Sequence, residues 1–564
     1  MRYNEKMLKR VLVPLMLLVI LLVSSRSFFL GKLFFLHDFT HAARIVEMSR
    51  GLQDGDFPVQ WSKNFGYGYG MPLFLFYGPF PYYIGALLYL TLNSVSWSIL
   101  VLFSIVNIVT LLGSYRLGKE LSGYTGGVVF AALYTLAPYR AVNLFLRGAL
   151  NELWAMALLP WLVLGWYLMT KKHRWAWLYI SVSTAIIILS HNLSALYFVP
   201  LGFFIGLLLF FWKRKNKNGT HQDLISLIVK GLLSATLGFG LSAFYALPAF
   251  LEKSFTKLDQ QVLTGYFDYH NHFLYLRQFL LDNWRYGGSE WGPNDGINFF
   301  LGYGVLLGLG FAVFQTVRRI KHERKQTSLI MILLFITMGG LILVTTQKTL
   351  WLWENLPMIA YLQFPWRLLG AIAFVATLII VMSLKNHIFG KRALLIIITT
   401  VTLFTSFRYF VPAFYYESDT GPYYTDAVRI QKEMSGILPD YIPKTFNTDI
   451  ESFQQLVENS EVLTTTVLKD ATSQKIIAVE AKQPTLITIS VANFPGWKAY
   501  LDGAETQILT SDNGLIQVVL PEGKQLLSLD FGMTSVRLWG YLISTLSVIL
   551  LSANLFSTRE IKQI

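Results

Sequence analysis

Tyr77-Gly78-Pro79-Phe80-Pro81-Tyr82-Tyr83, in the middle of the apolar segment 72–92, is the stretch whose reading decides how the chain is threaded. If that segment crossed a membrane, Arg116 and Lys119 would fall on the side opposite the N-terminal Arg2, Lys6, Lys9 and Arg10. Every later basic loop would then invert with them. If the segment lies in the interface or re-enters, the clusters share one side. These are Arg116 and Lys119, Lys171 to Arg174, Lys213 to Lys217, Arg318 to Lys325, Lys385 to Arg392, and Arg559 with Lys562. That is the arrangement the positive-inside bias demands. The density of Pro, Gly and aromatic rings suits an interfacial helix anchored by aromatics. The sequence therefore predicts an all-α polytopic bundle of about twelve spans, each near the usual helical spanning length. Their approximate ranges are 11–35, 97–117, 124–138, 150–170, 175–190, 195–212, 223–249, 299–317, 327–345, 366–385, 392–411 and 535–556, with both termini cytoplasmic.

Composition agrees. Of 564 residues, 54% are hydrophobic and only 14% charged, which excludes an ordinary soluble enzyme. The first apolar run, Val11 to Leu36, is long enough to span and reads as an uncleaved first helix rather than a secretory signal. There is no cysteine, so disulfides, thiolate chemistry and cysteine–zinc sites are excluded. The net charge of +14 is accounted for by the basic loops and by anionic lipid, with no call on nucleic acid.

Four substantial segments are then expected outside the cytoplasm: 37–96, 139–149, 250–298 and 412–534. The last alternates with period two and carries turn signals at Asp502-Gly503, Asp512-Asn513-Gly514 and Pro521-Glu522-Gly523, which read as antiparallel strands. Three parts follow: a membrane module over 1–411, a small extracytoplasmic β-rich domain over 412–534, and a last helix with its tail over 535–564.

Candidate chemistry gathers in those outside segments. His37-Asp38-Phe39-Thr40-His41 places a carboxylate between two imidazoles just after the first span. There Asp38 is positioned to take a proton from a bound hydroxyl, or it starts the following helix as a cap. His37, His41 and Arg44 share roughly one helical face. His37, Asp38 and His41 could hold a divalent metal, but no second cluster supplies further ligands, so a metal-free acid–base role is preferred and no cofactor is expected. Tyr139, Arg140, Arg147 and Glu152 follow the third span. Either Arg147 and Glu152 pair with each other, or the arginine holds a phosphate and the glutamate orients a sugar hydroxyl. His191 faces the same side and carries less weight. The aromatic and polar segment 250–298, with His270 and Trp284, resembles either a carbohydrate platform or an interfacial belt, and its glycine breaks suit a mobile lid. Gln363-Phe364-Pro365-Trp366-Arg367 opens the tenth span, where helix N-terminus and guanidinium together favour a lipid phosphate, unless Arg367 simply snorkels to headgroups.

These strings, with Gly66 to Tyr83 and Asn493-Phe494-Pro495-Gly496-Trp497-Lys498-Ala499-Tyr500-Leu501-Asp502-Gly503, resemble bacterial GT-C-type membrane proteins. The likeness is to the YfhO-like set and to relatives labelled 6-pyruvoyl-tetrahydropterin-synthase-related. Nothing in the residues supports pterin chemistry. The resemblance implies a GT-C-like fold and a glycosyltransferase that uses a polyprenyl-phosphate-linked sugar. The acceptor would be a cell-envelope polymer, teichoic acid or wall polysaccharide, on the outer membrane face. It places the catalytic acid at Asp38, which lacks a second adjacent acid and so speaks against metal dependence. Arg367, Arg147 and Gln363 would bind the donor phosphate. His37, His41, Arg44, Tyr139, Arg140, Glu152, His191, His270 and Trp284 would position substrates. The rival readings are a flippase or transporter of lipid-linked sugars, which should carry charges deep in several spans, and a non-catalytic envelope assembly protein.

Overall fold

The computed structural model describes residues 2–213, 221–261, 264–321, 325–384, 391–437, 439–450 and 453–560. Parts of the basic clusters at 214–217, 322–324 and 385–390, and Lys562, lie outside the described residues. Helices occupy every position expected of a span. Among the described residues seven helices are long and apolar enough to cross a membrane, and an eighth counts if the pair Ser328–Val344 and Gln347–Asn355, bent by 89°, is one span. Phe80–Leu92, Ala176–Ser190 and Ile396–Ser406 are shorter apolar helices.

The continuous-looking helix Val95–Thr135 is in fact two. Ser122 and Gly123 leave helical geometry, and Gly123 takes φ +72°, a conformation that is cheap only for glycine. The chain folds straight back: a Cβ on Gly127 would lie 2.7 Å from the Tyr115 ring, and one on Gly118 would lie 2.6 Å from Phe130 Cβ. Glycines thus let two backbones approach closely where lipid offers no hydrophobic drive. The spans expected at 97–117 and 124–138 are these two arms.

Lys171, Lys172 and Lys213 gather at one end of the bundle. Lys171 meets Glu120 at 2.5 Å, Lys172 meets Asp223 at 2.9 Å, and Lys213 donates to the Thr170 carbonyl at 3.1 Å. At the other end sit the long connections. Leu73–Phe76 and Phe80–Leu92 form two short helices in place of a span, the outcome expected for segment 72–92.

The C-terminal strands run from Leu463 to Phe531. They are β1 (Leu463–Asp470), β2 (Gln474–Ala481), β3 (Thr485–Ala492), β4 (Trp497–Leu501), β5 (Ala504–Thr506), β6 (Leu509–Thr510), β7 (Leu515–Leu520) and β8 (Gly523–Phe531). They form two antiparallel sheets, ordered β1-β2-β8-β4-β5 and β3-β7-β6. At the start of the segment expected to be β-rich lie short helical turns instead, at Gly421–Thr425, Ala427–Arg429, Ile430–Met434 and Pro439–Tyr441. The sandwich is seated on the first long connection. Trp61 packs against Trp497 and Phe531 at 5.4 and 5.0 Å between ring centres. Asp470 bridges Lys63 at 2.7 Å and Lys475 at 2.6 Å, while Asp54 accepts from Thr472 at 2.6 Å. The Pro495-Gly496-Trp497 turn is pinned by Arg537 of the last helix, which donates to the Pro495 carbonyl at 2.7 Å and pairs with Glu252 at 2.9 Å. Gly496 holds φ +115°, and a Cβ there would meet Arg537 at 2.5 Å.

Two expectations follow. Glu252→Ala leaves the fully buried Arg537 without a counter-charge, which typically costs about 3–5 kcal/mol. The midpoint of thermal unfolding in detergent should fall markedly, and an unchanged midpoint would contradict the pairing. Lys475 is pushed down to about 8 from 10.5, by burial first, with Asp470 opposing and Lys63 reinforcing the shift. Its charged form is penalised in the folded state, so that penalty is complete below pH 8 and fades as pH rises toward 10.5. The thermal midpoint of wild type relative to Lys475→Met should therefore climb between those pH values; a flat difference would refute the assignment.

Candidate functional site

The extended run after the first helix is fixed by its backbone. His37 N donates to the Leu146 carbonyl and Asp38 N to the Arg147 carbonyl, both at 2.9 Å. The partner segment, Asn143–Arg147, is a wide π turn ended by Gly148 at φ +71°. Such turns are rare and concentrate at functional sites. A Cβ on Gly148 would lie 3.0 Å from Leu36 and 3.3 Å from the Asp38 carbonyl, so glycine permits this approach.

Asp38 is held by three side chains. Thr40 Oγ1 donates to Oδ1 at 3.1 Å, Arg44 Nη1 lies 3.5 Å from Oδ1, and His41 Nε2 lies 3.1 Å from Oδ2. Its own side chain remains 26% exposed, whereas His41 is 1% exposed behind it. Burial alone would raise the carboxyl, but His41 and then Arg44 outweigh it and hold Asp38 well below the usual carboxylate range. It is an anion at any working pH. His41 Nδ1 in turn meets the Tyr82 hydroxyl at 2.7 Å, and Arg44 lies over the Tyr77 ring at 4.4 Å.

A second charge cluster faces the first. Glu152 opens the helix Leu150–Thr170 and is 2% exposed. It receives the Tyr139 hydroxyl at 2.5 Å, Asn143 Nδ2 at 3.2 Å and Arg147 Nη1 at 2.8 Å. Arg147 also donates to Asn143 Oδ1 at 2.6 Å and lies 4.5 Å over the Trp366 ring. Arg367 donates to the Leu362 carbonyl at 2.7 Å and to Gln363 Oε1 at 2.9 Å. Its Nε stands 3.8 Å from Glu152 Oε2, too far for a hydrogen bond, and has no other partner. Gln363 itself takes φ +61°, costly for a residue with a Cβ, and is held there by that bond to Arg367. His191 Nδ1 accepts the Ser194 N–H at 3.1 Å, so the neutral ring carries its proton on Nε2. Burial first, then Arg367 and Arg147 against Glu152, push His191 down to about 3.

Both clusters open into one cavity of about 330 Å³. His37, Asp38, Arg147, His191, Gln363 and Arg367 line it together with Tyr77, Trp366 and Tyr441. Arg44, His41, Tyr139 and Glu152 stand directly behind that lining. The first-loop acid and the tenth-helix guanidinium therefore do share a cavity. Among the described residues no group of three His, Asp or Glu converges as a metal-binding cluster.

Three residues expected at the site stand elsewhere. Arg140 is fully buried in the bundle, bonded to Asn107 at 2.8 Å, because the wide turn Asn143–Arg147 breaks the helical register that would align it with Arg147. His270 pairs with Asp268 at 2.6 Å and lines a separate pocket of about 210 Å³ with Trp291 and Lys348. Trp284 packs 4.9 Å from Tyr409. The 250–298 segment reaches the cavity through Leu258, Tyr266, Phe267 and Ile297 instead. It is also tied down, since Ser289 Oγ accepts from Trp366 Nε1 at 3.1 Å. Sequence reading missed the supporting roles of Tyr77, Tyr82, Asn143 and Ser194. Only the two tyrosines carried a signal, inside the Pro- and aromatic-rich string.

Comparison with known proteins fits the membrane architecture. Residues 74–413, more than half the chain, match the family model described as "6-pyruvoyl-tetrahydropterin synthase related domain; membrane protein". An uncharacterised protein of Lactococcus lactis subsp. cremoris (strain MG1363) is 26% identical over 294 residues, which are 50% of this chain and 45% of that protein. The chain thus spans under half the length of that curated relative. Among solved structures, the Archaeoglobus fulgidus oligosaccharyltransferase in its apo form is similar at a TM-score of 0.41 and 12% identity, over 78% of this chain and 62% of that one. The archaeal oligosaccharyltransferase AglB from the same organism, with an inhibitory peptide and a dolichol-phosphate, gives 0.40 and 12%, over 79% and 62%.

Tyr82→Phe should remove the His41 Nδ1 partner and leave a buried polar atom unsatisfied, a cost of about 1–3 kcal/mol. A lowered thermal midpoint is the expected result; none would show that water replaces the hydroxyl.

Proposed function

This chain belongs to the membrane-protein family described as 6-pyruvoyl-tetrahydropterin synthase related, and we propose that it is a glycosyltransferase. It moves a monosaccharide from a polyprenyl-phosphate donor to a cell-envelope polymer, teichoic acid or wall polysaccharide. The observation that carries this reading is the charge arrangement of one cavity. Asp38 and Glu152 are outnumbered by Arg44, Arg147 and Arg367, and the Arg367 Nε lacks a partner. A site with a surplus guanidinium beside an ionised carboxylate has room for one further anion and one proton acceptor.

The donor phosphate lies against Arg367 and Arg147, which stabilise the charge that grows on it as its bond to the anomeric carbon breaks. The acceptor hydroxyl attacks that carbon from the Asp38 side. Its proton becomes far more acidic as the new bond forms, so even a carboxylate held this low receives it late in the step. A single displacement inverts the anomeric centre. Guanidinium rather than metal stabilisation of the leaving phosphate is favoured because both arginines already stand there. Glu152 fixes Arg147, and the His191 Nε2–H is free to donate to a sugar oxygen. Basic loops gathered at the opposite end support a site on the outer face with both termini inside.

In vesicles supplied with a polyprenyl-phosphate sugar, Asp38→Asn should lower kcat by about 10²–10⁴-fold with a small change in donor KM. Arg367→Gln should cut kcat by roughly 10²–10³-fold, the scale for losing one charge-stabilising donor. Transfer that survives Asp38→Asn would sink the assignment.

A further inference from the structure

A second cavity, larger than this site, lies elsewhere in the molecule. A groove of about 940 Å³ opens between the helices Leu150–Thr170, Asn192–Lys213 and His221–Leu241 at the opposite end of the bundle. Glu152 and Thr170 mark the two ends of one helix, which separates the two cavities by roughly 30 Å at 1.5 Å per residue. On the helix His221–Leu241 the groove wall is Asp223, Leu227, Lys230, Leu233, Ser234 and Leu237, a stripe at spacings of three and four. The stripe changes character along its length: charged at Asp223 and Lys230, apolar at Leu233 and Leu237.

The mouth is cationic. Lys172, Lys213 and Lys230 line it, with Asp223 engaged by Lys172 at 2.9 Å. Lys213 uses one of its three N–H groups on the Thr170 carbonyl at 3.1 Å. Below the lysines the walls are Met169, Trp177 and Phe210, and Leu233 is 64% exposed on the outer surface of a helix apolar enough to span. Among the described residues the groove is therefore open sideways to lipid, with positive charge at one end and hydrocarbon at the other. A soluble anion would use only the lysines, and a neutral lipid only the walls.

The geometry points to an acidic phospholipid bound here, its phosphate among Lys172, Lys213 and Lys230 and its acyl chain along Leu233 and Leu237. The observations stand apart from the transferase site and do not depend on what that site does. Each lysine near an anionic headgroup contributes a several-fold gain in affinity.

The test uses the full chain in nanodiscs of phosphatidylcholine alone or with phosphatidylglycerol, read by thermal midpoint and by native mass spectrometry of retained lipid. Wild type should melt higher with phosphatidylglycerol and retain it in preference to phosphatidylcholine. The variant Lys172→Gln/Lys213→Gln/Lys230→Gln should bind it roughly tenfold more weakly or worse, while melting like wild type in phosphatidylcholine. Ser234→Trp, which fills the groove with the charges intact, serves if that triple variant fails to fold, and it too should weaken retention. Equal stabilisation by both lipids, retention by both variants, or full replacement by inorganic phosphate would overturn the proposal.

Discussion

Charge neutralisation in a medium that cannot solvate charge is the constraint on which this molecule rests. Asp38 and Glu152 could not be held at a bundle mouth without Arg44, Arg147 and Arg367, and those guanidiniums would be as costly alone. The pairing is not symmetrical. Glu152 is saturated by a tyrosine, an asparagine and Arg147, while Asp38 keeps part of its surface open to the cavity. One carboxylate therefore fixes Arg147, and the other keeps a face open to the cavity. The same logic recurs at Arg537 and Glu252, where a buried pair ties the last helix to the turn that carries the β-sandwich.

Backbone devices make this arrangement exact enough to matter. The π turn at Asn143–Arg147 and the left-handed Gly148 allow the Asp38 strand to run beside Arg147, and the strained Gln363 aims Arg367 at the same cavity. Strain at functional positions persists only where surrounding contacts over-determine it. Here the Arg367–Gln363 bond and the stacked Phe364 and Trp366 rings, 4.7 Å apart, supply those contacts. The β-sandwich closes over the first connection through the Trp61 cluster and the Asp470 bridges, so the loop bearing Asp38 is clamped from both sides.

The glycine-assisted turn at Ser122–Gly123 shows how a hydropathy pattern and a helix can disagree. Residues 95–135 look like one helix by backbone hydrogen bonding, yet Ser122 and Gly123 leave helical geometry just after the charged Arg116, Lys119 and Glu120. The structure obeys the charges.

Sequence alone determined the class of molecule, the helix positions, the breaking of segment 72–92 into short helices and the presence of strands near the C-terminus. Each of these follows from local patterning: apolar run length, basic loops, Pro and aromatic density, and period-two alternation. It also singled out Asp38, Arg147, Glu152, His191 and Arg367. Only the tertiary structure decided that these five meet, that Arg140, His270 and Trp284 do not join them, that Tyr77 lines their cavity and that Tyr82 stands behind it. The reason is physical. Which face of a helix a side chain takes after a π turn or a left-handed residue depends on backbone angles that packing imposes, and a neighbour a hundred residues away leaves no mark on local spacing.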